Sequence, residues 1–258
     1  MKHDIRLIGA KNSHACKEIL TDTNIRKLST NTIILPDLLV NYGLPYQSIM
    51  AILSNSEKLR GIPIINKNAR LSKFQVLMTA SDIGILIPDS KLSLSLDDNK
   101  KEWIEKRIHS IGGLGIRFAG QRGKIPNKYY QRFVRNRVYE ARVHAFSWIN
   151  SKKWVVQKRI GDQREIAWNF KNNGLFVSIN KPYEYELYRT TINITKKLMN
   201  ALKVQFCASD FIICKNKDIY FLEINSAPGF QDLSRQTYIS AFNKLQTTKI
   251  RDIFCEVK

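Results

Sequence analysis

The stretch DIYFLEINSAPG, residues 218–229, decides how this chain is read. Ile219 to Leu222 are apolar or aromatic, as in a strand packed on both faces. Glu223 and Asn225 follow two residues apart, so on a strand their side chains share a face. Upstream, residues 208–214 (ASDFIIC) have the composition of a second strand and residues 215–218 (KNKD) that of a turn. A symmetric turn centred between Asn216 and Lys217 pairs Cys214 with Ile219, Phe211 with Leu222 and Asp210 with Glu223. Opposed residues on paired strands lie about 5 Å apart on one face, so Asp210, Glu223 and Asn225 are expected to converge. Two carboxylates placed so repel each other unless a cation or a proton lies between them. Oxygen-only donors favour a hard ion such as magnesium, which commonly also binds nucleotide phosphates. Taken alone, the spacing fits an ordinary hairpin with a polar end equally well.

Working outward, strands alternate with helical patterns. Residues 5–8 read as a strand, 13–20 as a helix, 32–42 (TIILPDLLVNY) as strand, proline break and strand, 46–59 as helical, and 61–66 (GIPIIN) as a short buried strand. This alternation predicts a small α/β unit with a parallel sheet. A helix is expected over 71–81, strands over 83–88 (IGILIP), 98–108 and 130–134, a glycine-rich loop at 110–115 (SIGGLG) and a basic loop at 121–128. Residues 138–148 and 154–159 read as a hairpin turning at 150–153. Residues 190–202 read as an amphipathic helix with Ile192, Leu198, Met199 and Leu202 in the core. SIGGLG is neither a Walker loop nor a Rossmann fingerprint, and by itself is only a turn.

The 258 residues suffice for one large domain or two to three small ones, and 43% hydrophobic content supports a core. No apolar run approaches the ~18 residues of a membrane span, and the N-terminus carries no signal-like apolar core. The four cysteines form no C-x-x-C pair, which predicts reduced thiols and a cytoplasmic setting. The four histidines have no metal-ligand spacing and read as structural or surface groups, His109 beside the glycine loop being the one to watch. A net charge of +20 with pI ≈ 9.9 points to an anionic partner, or equally to a solvated basic surface.

In order along the chain come GIPIIN, a helix carrying Lys73, Lys106 before SIGGLG, QRFV, EARV, and finally Asp210 with EINSAPG. This succession resembles the ATP-grasp superfamily, and within it the branch of ribosomal-protein glutamate ligases and glutathione synthetases. The resemblance runs from about Gly61 to Phe230. It implies an α/β (α+β) ATP-grasp fold with a small N-terminal unit over 1–66, a central subdomain over 67–134 and a C-terminal subdomain over 135–258. It implies ATP and Mg2+ (Mn2+ in its place) as cofactors, and a carboxylate–amine ligase working through an acyl phosphate. Lys73 and Lys106 match the nucleotide-contacting lysines. Arg107 stands where the family usually has proline, so which of Lys106 and Arg107 serves stays open. Ser110, Gly112, Gly113 and Gly115 match the loop that folds over the phosphates, and Gln131, Arg132, Phe133 and Val134 the segment whose backbone holds the adenine edge. Asn136 replaces a common ribose-binding acid. Arg142, Arg159 and Asn169 match catalytic groups near the phosphates and the acyl phosphate; Ala167 stands where an arginine often precedes that asparagine. Asp210, Glu223 and Asn225 match the metal ligands.

The expected partners are ATP, an amino-acid, peptide or protein carboxylate and an amine acceptor, acidic ones included, with nucleic acid bound only nonspecifically and no membrane. Two other functions are compatible with the residues: a basic nucleic-acid-binding protein without catalysis, and an ATP-grasp kinase acting on a hydroxyl. The first would bind with an affinity falling steeply with salt; the second would leave a stable phosphorylated product.

Overall fold

The computed structural model describes residues 2–9, 13–29, 34–68, 72–109, 115–121, 123, 125–163, 165–168, 174–177, 182–229 and 232–257. Three sheets organise them. The first is all parallel. Its strands are β1 (Ile5–Gly9), β2 (Arg26–Lys27), β3 (Leu38–Tyr42) and β4 (Ile64–Ile65), in the order β2-β1-β3-β4. Helices α1 (His14–Asp22) and α2 (Tyr46–Ser54) flank it. Ser13 caps α1 by accepting a hydrogen bond from the Cys16 amide. The expected parallel α/β unit is present, with β3 buried along its whole length.

Helix α3 (Lys73–Asp82) starts at Ser72, whose side chain accepts from the Gln75 amide. Next to it lies an antiparallel sheet in the order β5-β8-β6-β7, made of β5 (Ser90–Lys91), β6 (Trp103–Arg107), β7 (Arg117–Phe118) and β8 (Lys128–Arg132). The strand expected over 83–88 does not form. Gly84 turns the chain at φ +75°, and Pro88 has no amide to give a ladder. Among the described residues the segment's backbone bond to the third sheet runs from the Phe221 amide to the Leu86 carbonyl (2.9 Å).

The third sheet is antiparallel, in the order β11-β10-β9-β12-β13, from β9 (Arg137–Phe146), β10 (Val155–Ile160), β11 (Leu175–Val177), β12 (Phe206–Cys214) and β13 (Ile219–Asn225). One face carries the main core, where Val143, Ala145, Phe211 and Phe221 meet Leu198 and Met199 of α4 (Pro182–Leu202) and Val76, Leu77 and Ala80 of α3. Ile192 packs against this core, and Leu202 belongs to it. Helix α5 (Asp232–Leu245) joins the third sheet to the first: Tyr238, Ala241 and Phe242 pack with Phe146, Trp148, Phe206 and with Ile5, Leu7 and Tyr42. The chain closes with α6 (Ile250–Ile253).

Two polar ties fix the first sheet against the third. Asn66, in the left-handed region (φ 54°), donates to the Phe206 carbonyl (2.8 Å) and accepts from the Gln205 amide (2.7 Å). The Tyr42 hydroxyl donates to the Pro228 carbonyl (2.6 Å). Gly43, at φ +84°, lets the chain pass this loop; a Cβ there would sit 2.6 Å from that of Ala227.

Candidate active site

The β12–β13 register carries both a correction and a coincidence. Cys214 does not face Ile219. The Cys214 amide bonds the Asp218 carbonyl (3.0 Å), Lys217 takes a left-handed φ of 66°, and Ile213 is the residue opposite Ile219. Nor does Phe211 face Leu222: its partner is Phe221, with a bulge where the register shifts between Asp210 and Phe211. The turn is one residue shorter than expected and the bulge one residue longer than a regular ladder. The two offsets cancel, so Asp210 stands opposite Glu223, and Asn225 opposite Ala208. In a bulge two successive residues face one partner residue. Leu222 and Glu223 accordingly both line the cleft described below.

Across the third sheet the pairings Gln157↔Arg142, Arg142↔Asp210 and Asp210↔Glu223 align into one row on four neighbouring strands. Beside it runs a second row, Arg159↔Glu140 and Glu140↔Ile212. Period-two alternation turns these side chains to the face opposite the core. Arg142 grips Asp210 with both ends of its fork, Nε–Oδ1 at 2.6 Å and the second pair at 2.7 Å. Arg159 bonds Glu140 (2.7 Å) and approaches Asp210 (3.7 Å). Arg137 lies 3.7 Å from Glu140, its guanidinium 4.0 Å from the Trp168 ring centroid.

Two lysines reach this face from elsewhere. Lys73, the first residue of α3, places Nζ 2.6 Å from Glu223 Oε2. Its amide bonds the Ile108 carbonyl (3.2 Å), tying α3 to the end of β6. Lys106 on β6 is buried and donates to Gln131 Oε1 (3.0 Å) on β8. Arg107 is exposed and lies against Gly115 instead, so Lys106 is the cation that enters the cleft.

Together these groups line a cleft of about 570 Å³ between the second and third sheets. Lys73, Lys106, Gln131, Arg132, Phe133, Val134, Arg142, Arg159, Asp210, Glu223 and Asn225 all lie on its wall; Gly115 does not, although its neighbour Ile116 does. Ser110, Gly112, Gly113 and Asn169 lie outside the described residues. Arg132 turns its guanidinium outward to Asp89 and Glu102. In the 131–134 segment the Arg132 amide is spent on Asp89 and the Phe133 amide on Glu102. Val134 is thereby its first amide with no backbone partner among the described residues.

The wall also holds groups to which the sequence reading gave no role: Arg137, Gln157 and Trp168, and at the far end His14 and Ala15 of α1, the loop Ala227–Gly229 and Ser234 of α5. Gln157 is set from behind. His144 is fully buried, and burial followed by the nearby Arg142 charge lowers its pKa to about 4, so the ring is neutral. Its Nε2 lies 2.8 Å from Gln157 Oε1 and its Nδ1 3.2 Å from the Tyr238 hydroxyl. With one proton on the ring, Nε2–H donates to Gln157 and Nδ1 accepts from Tyr238. Only the spacing His144–Arg142–Glu140, one face of a strand, hinted at this in the sequence.

Five cations (Lys73, Lys106, Arg137, Arg142, Arg159) face three carboxylates (Glu140, Asp210, Glu223). Burial works to raise the Glu223 pKa, but Lys73 and Lys106 outweigh it and hold it at about 2. Burial likewise opposes ionisation of Asp210, yet Arg142 and then Arg159 leave its pKa below the usual range. The Lys106 pKa is lowered by burial, which Glu223, Glu140 and Asp210 only partly offset. Both carboxylates are therefore anionic at neutral pH, and the site keeps a surplus of positive charge suited to a polyphosphate. Among the described residues no group of three or more His, Cys, Asp or Glu is placed to hold a metal ion by itself. Asp210, Glu223 and Asn225 on the opposed strands β12 and β13 supply oxygen donors, the kind a hard divalent ion takes.

No family model and no curated protein matches this chain. Solved structures do. The chain is similar to the ATP-grasp ligase PsnB complexed with minimal precursor, Mg and ADP, with 11% identity and a TM-score of 0.60 over 95% of this chain and 97% of that one. It is similar to the macrocyclase MdnC bound with precursor peptide MdnA from Microcystis aeruginosa MRC, with 11% identity and a TM-score of 0.61 over 94% and 98%. Against D-alanine–D-alanine ligase from Bacillus anthracis the identity is 14% and the TM-score 0.64, over 100% and 97%. At such identities the likeness is one of fold, and it spans the parallel first sheet, the second sheet and the third alike: this chain has the ATP-grasp fold.

Proposed function

We propose that the protein is an ATP-dependent carboxylate–amine ligase. The observation that carries this reading is the row Gln157–Arg142–Asp210–Glu223 facing Lys73 and Lys106 across one cleft. A carboxylate is a poor acyl donor. In the proposed reaction a carboxylate oxygen of the acid substrate attacks the γ-phosphorus of ATP, and ADP leaves with the bond pair. An amine nitrogen then attacks the acyl carbon of the acyl phosphate, inorganic phosphate leaves, and the amine proton passes to solvent. Phosphoryl transfer of this kind is catalysed mainly by positioning and charge neutralisation.

In this reading the base lies between Leu222 and the 131–134 segment, with the Val134 amide donating to its edge. Lys106 and Lys73 hold phosphate oxygens, and Arg142 and Arg159 neutralise charge on the transferred group. Asp210, Glu223 and Asn225 would hold Mg2+, which would offset phosphate charge when bound; Mn2+ would serve in its place. Ser110, Gly112, Gly113 and Gly115 would cover the phosphates, and Asn169 would approach them. Residues 1–66, 67–134 and 135–258 act as three subdomains, the first helping to form the end of the cleft that His14 and Ala15 reach. The setting is a reducing cytoplasm, consistent with four unpaired cysteines of which Cys16, Cys207 and Cys214 are buried.

The acid or amine is best sought in a peptide. PsnB and MdnC are described with precursor peptides, and a net charge of +20 suits an acidic one. Incubation with ATP, Mg2+ and acidic peptides, read as ADP release together with loss of water from the peptide mass, tests this. ADP release with a gain of one phosphoryl mass would instead identify a hydroxyl kinase, and failure to bind nucleotide with Mg2+ would end both readings.

A further inference from the structure

All four carboxylate oxygens of Asp210 and Glu223 are engaged by other groups of the chain. Glu223 Oε2 meets Lys73 Nζ (2.6 Å) and Oε1 accepts from Asn225 Nδ2 (3.2 Å). Asp210 Oδ1 and Oδ2 meet Arg142 (2.6 and 2.7 Å). The two cations are held differently. Arg142 and Asp210 are directly paired on adjacent strands of one sheet, and a bidentate fork is fixed in geometry. Lys73 comes from another element, the first turn of α3, on a flexible four-carbon stem with a single ammonium. If one partner yields to an incoming cation, it is Lys73.

We infer that Lys73 is a place-holder for the divalent ion: its ion pair with Glu223 competes with the ion for that carboxylate, and the ammonium moves to the nucleotide phosphates when the ion binds. This rests on the ligase reading of the site and adds to it a rule of assembly. A metal alone would have to displace Lys73 and leave its ammonium unpartnered in a half-buried position, which is costly. With a triphosphate present, the same ammonium exchanges one anionic partner for another. Metal and nucleotide therefore enter together and the metal alone is excluded, which keeps the site from trapping free divalent cations. The hydroxyl of Tyr129 is consistent with a lysine that occupies two positions. It is fully buried, has no hydrogen-bond partner among the described residues, and senses the charges of Lys73 and Glu223. A buried polar atom that is unpaired in one state calls for a partner in another.

The test uses Mn2+ alone, followed by its electron paramagnetic resonance signal, and then Mn2+ with ATP, neither needing the acid substrate. Wild-type protein should bind Mn2+ weakly without ATP. Lys73→Gln should bind Mn2+ alone at least about tenfold more tightly, the scale on which neighbours of metal ligands act, while binding ATP more weakly. Lys106→Gln is the control. Lys106 also lies near Glu223 but hydrogen-bonds Gln131, so simple removal of a nearby charge would raise Mn2+ affinity in both variants. A rise confined to Lys73→Gln supports the proposal. No rise, or an equal rise in both, overturns it. Lys73→Met replaces Lys73→Gln if the latter does not fold; if neither folds, Lys73 is a structural cation and the inference falls. Should wild-type protein fail to bind Mn2+ even with ATP, the ligase reading itself is at fault.

Discussion

Asp210 is the residue on which the site turns, because it is buried and anionic and depends on Arg142. Truncating one partner of such a pair leaves an uncompensated charge, whereas removing both often costs little. Arg142→Ala should therefore lower unfolding free energy by about 3–5 kcal/mol, and Arg142→Ala with Asp210→Ala should recover a large part of it. Urea denaturation of the two singles and the double measures this; equal costs for the double and the single would show that the pair is not what stabilises the row. His144 gives a pH dependence of definite sign. Its folded pKa of about 4 lies below the unfolded value of 6.5, so between these values the unfolded chain binds a proton that the folded one refuses. Stability from this group is complete above pH 6.5 and declines as pH falls towards 4, by up to about 3 kcal/mol. In urea midpoints compared at pH 7 and pH 5, His144→Gln should lose less than wild type. An identical loss would mean that other groups set the acid limit.

Among the secondary-structure elements, the β12–β13 hairpin displays what a sequence can and cannot disclose. Strand composition and period-two spacing placed Asp210, Glu223 and Asn225 on one face, since side-chain direction is a local property. The individual pairings were out of reach: a three-residue turn with Lys217 in the left-handed region and a bulge at Leu222 depend on how β13 meets both β12 and the Leu86 carbonyl. That Asp210 nonetheless met Glu223 follows from two errors of opposite sense. The same limit explains residues 83–88, whose apolar run fits a strand although Pro88 and the Gly84 turn leave no ladder to join. Gln157 and its buried orienting pair escaped notice because His144 and Tyr238 are 94 residues apart in sequence, and nothing local marks them as neighbours. The bulge itself is testable. Deleting Leu222 makes Phe221 and Glu223 adjacent, opposite Phe211 and Asp210, and so restores a regular ladder with the same pairs. The variant should fold with a melting temperature within a few degrees of wild type, yet bind ATP less tightly because an apolar side chain leaves the cleft wall. Unchanged ATP affinity would show that Leu222 does not touch the base.

For the molecule as a whole, charge acts on two length scales. The cations of the cleft are buried or partly buried and so shielded from solvent ions, and contacts to a bound nucleotide should depend weakly on salt. The remaining basic surface contributes to a net +20 and acts through solvent, where screening sets in over about 8–10 Å at ordinary ionic strength. An acidic peptide drawn along that surface should lose affinity steadily as salt rises, and RNA or heparin should do so more steeply, since their binding follows counterion release. Between about 50 and 500 mM NaCl, KM for an acidic peptide substrate should rise several-fold while KM for ATP changes little. The contrast between the two constants is what matters. If both rise together, the cleft is more open to ions than its burial implies. If neither changes, the basic surface takes no part in substrate capture, and the acceptor must be recognised by the His14–Ser234 end of the cleft alone.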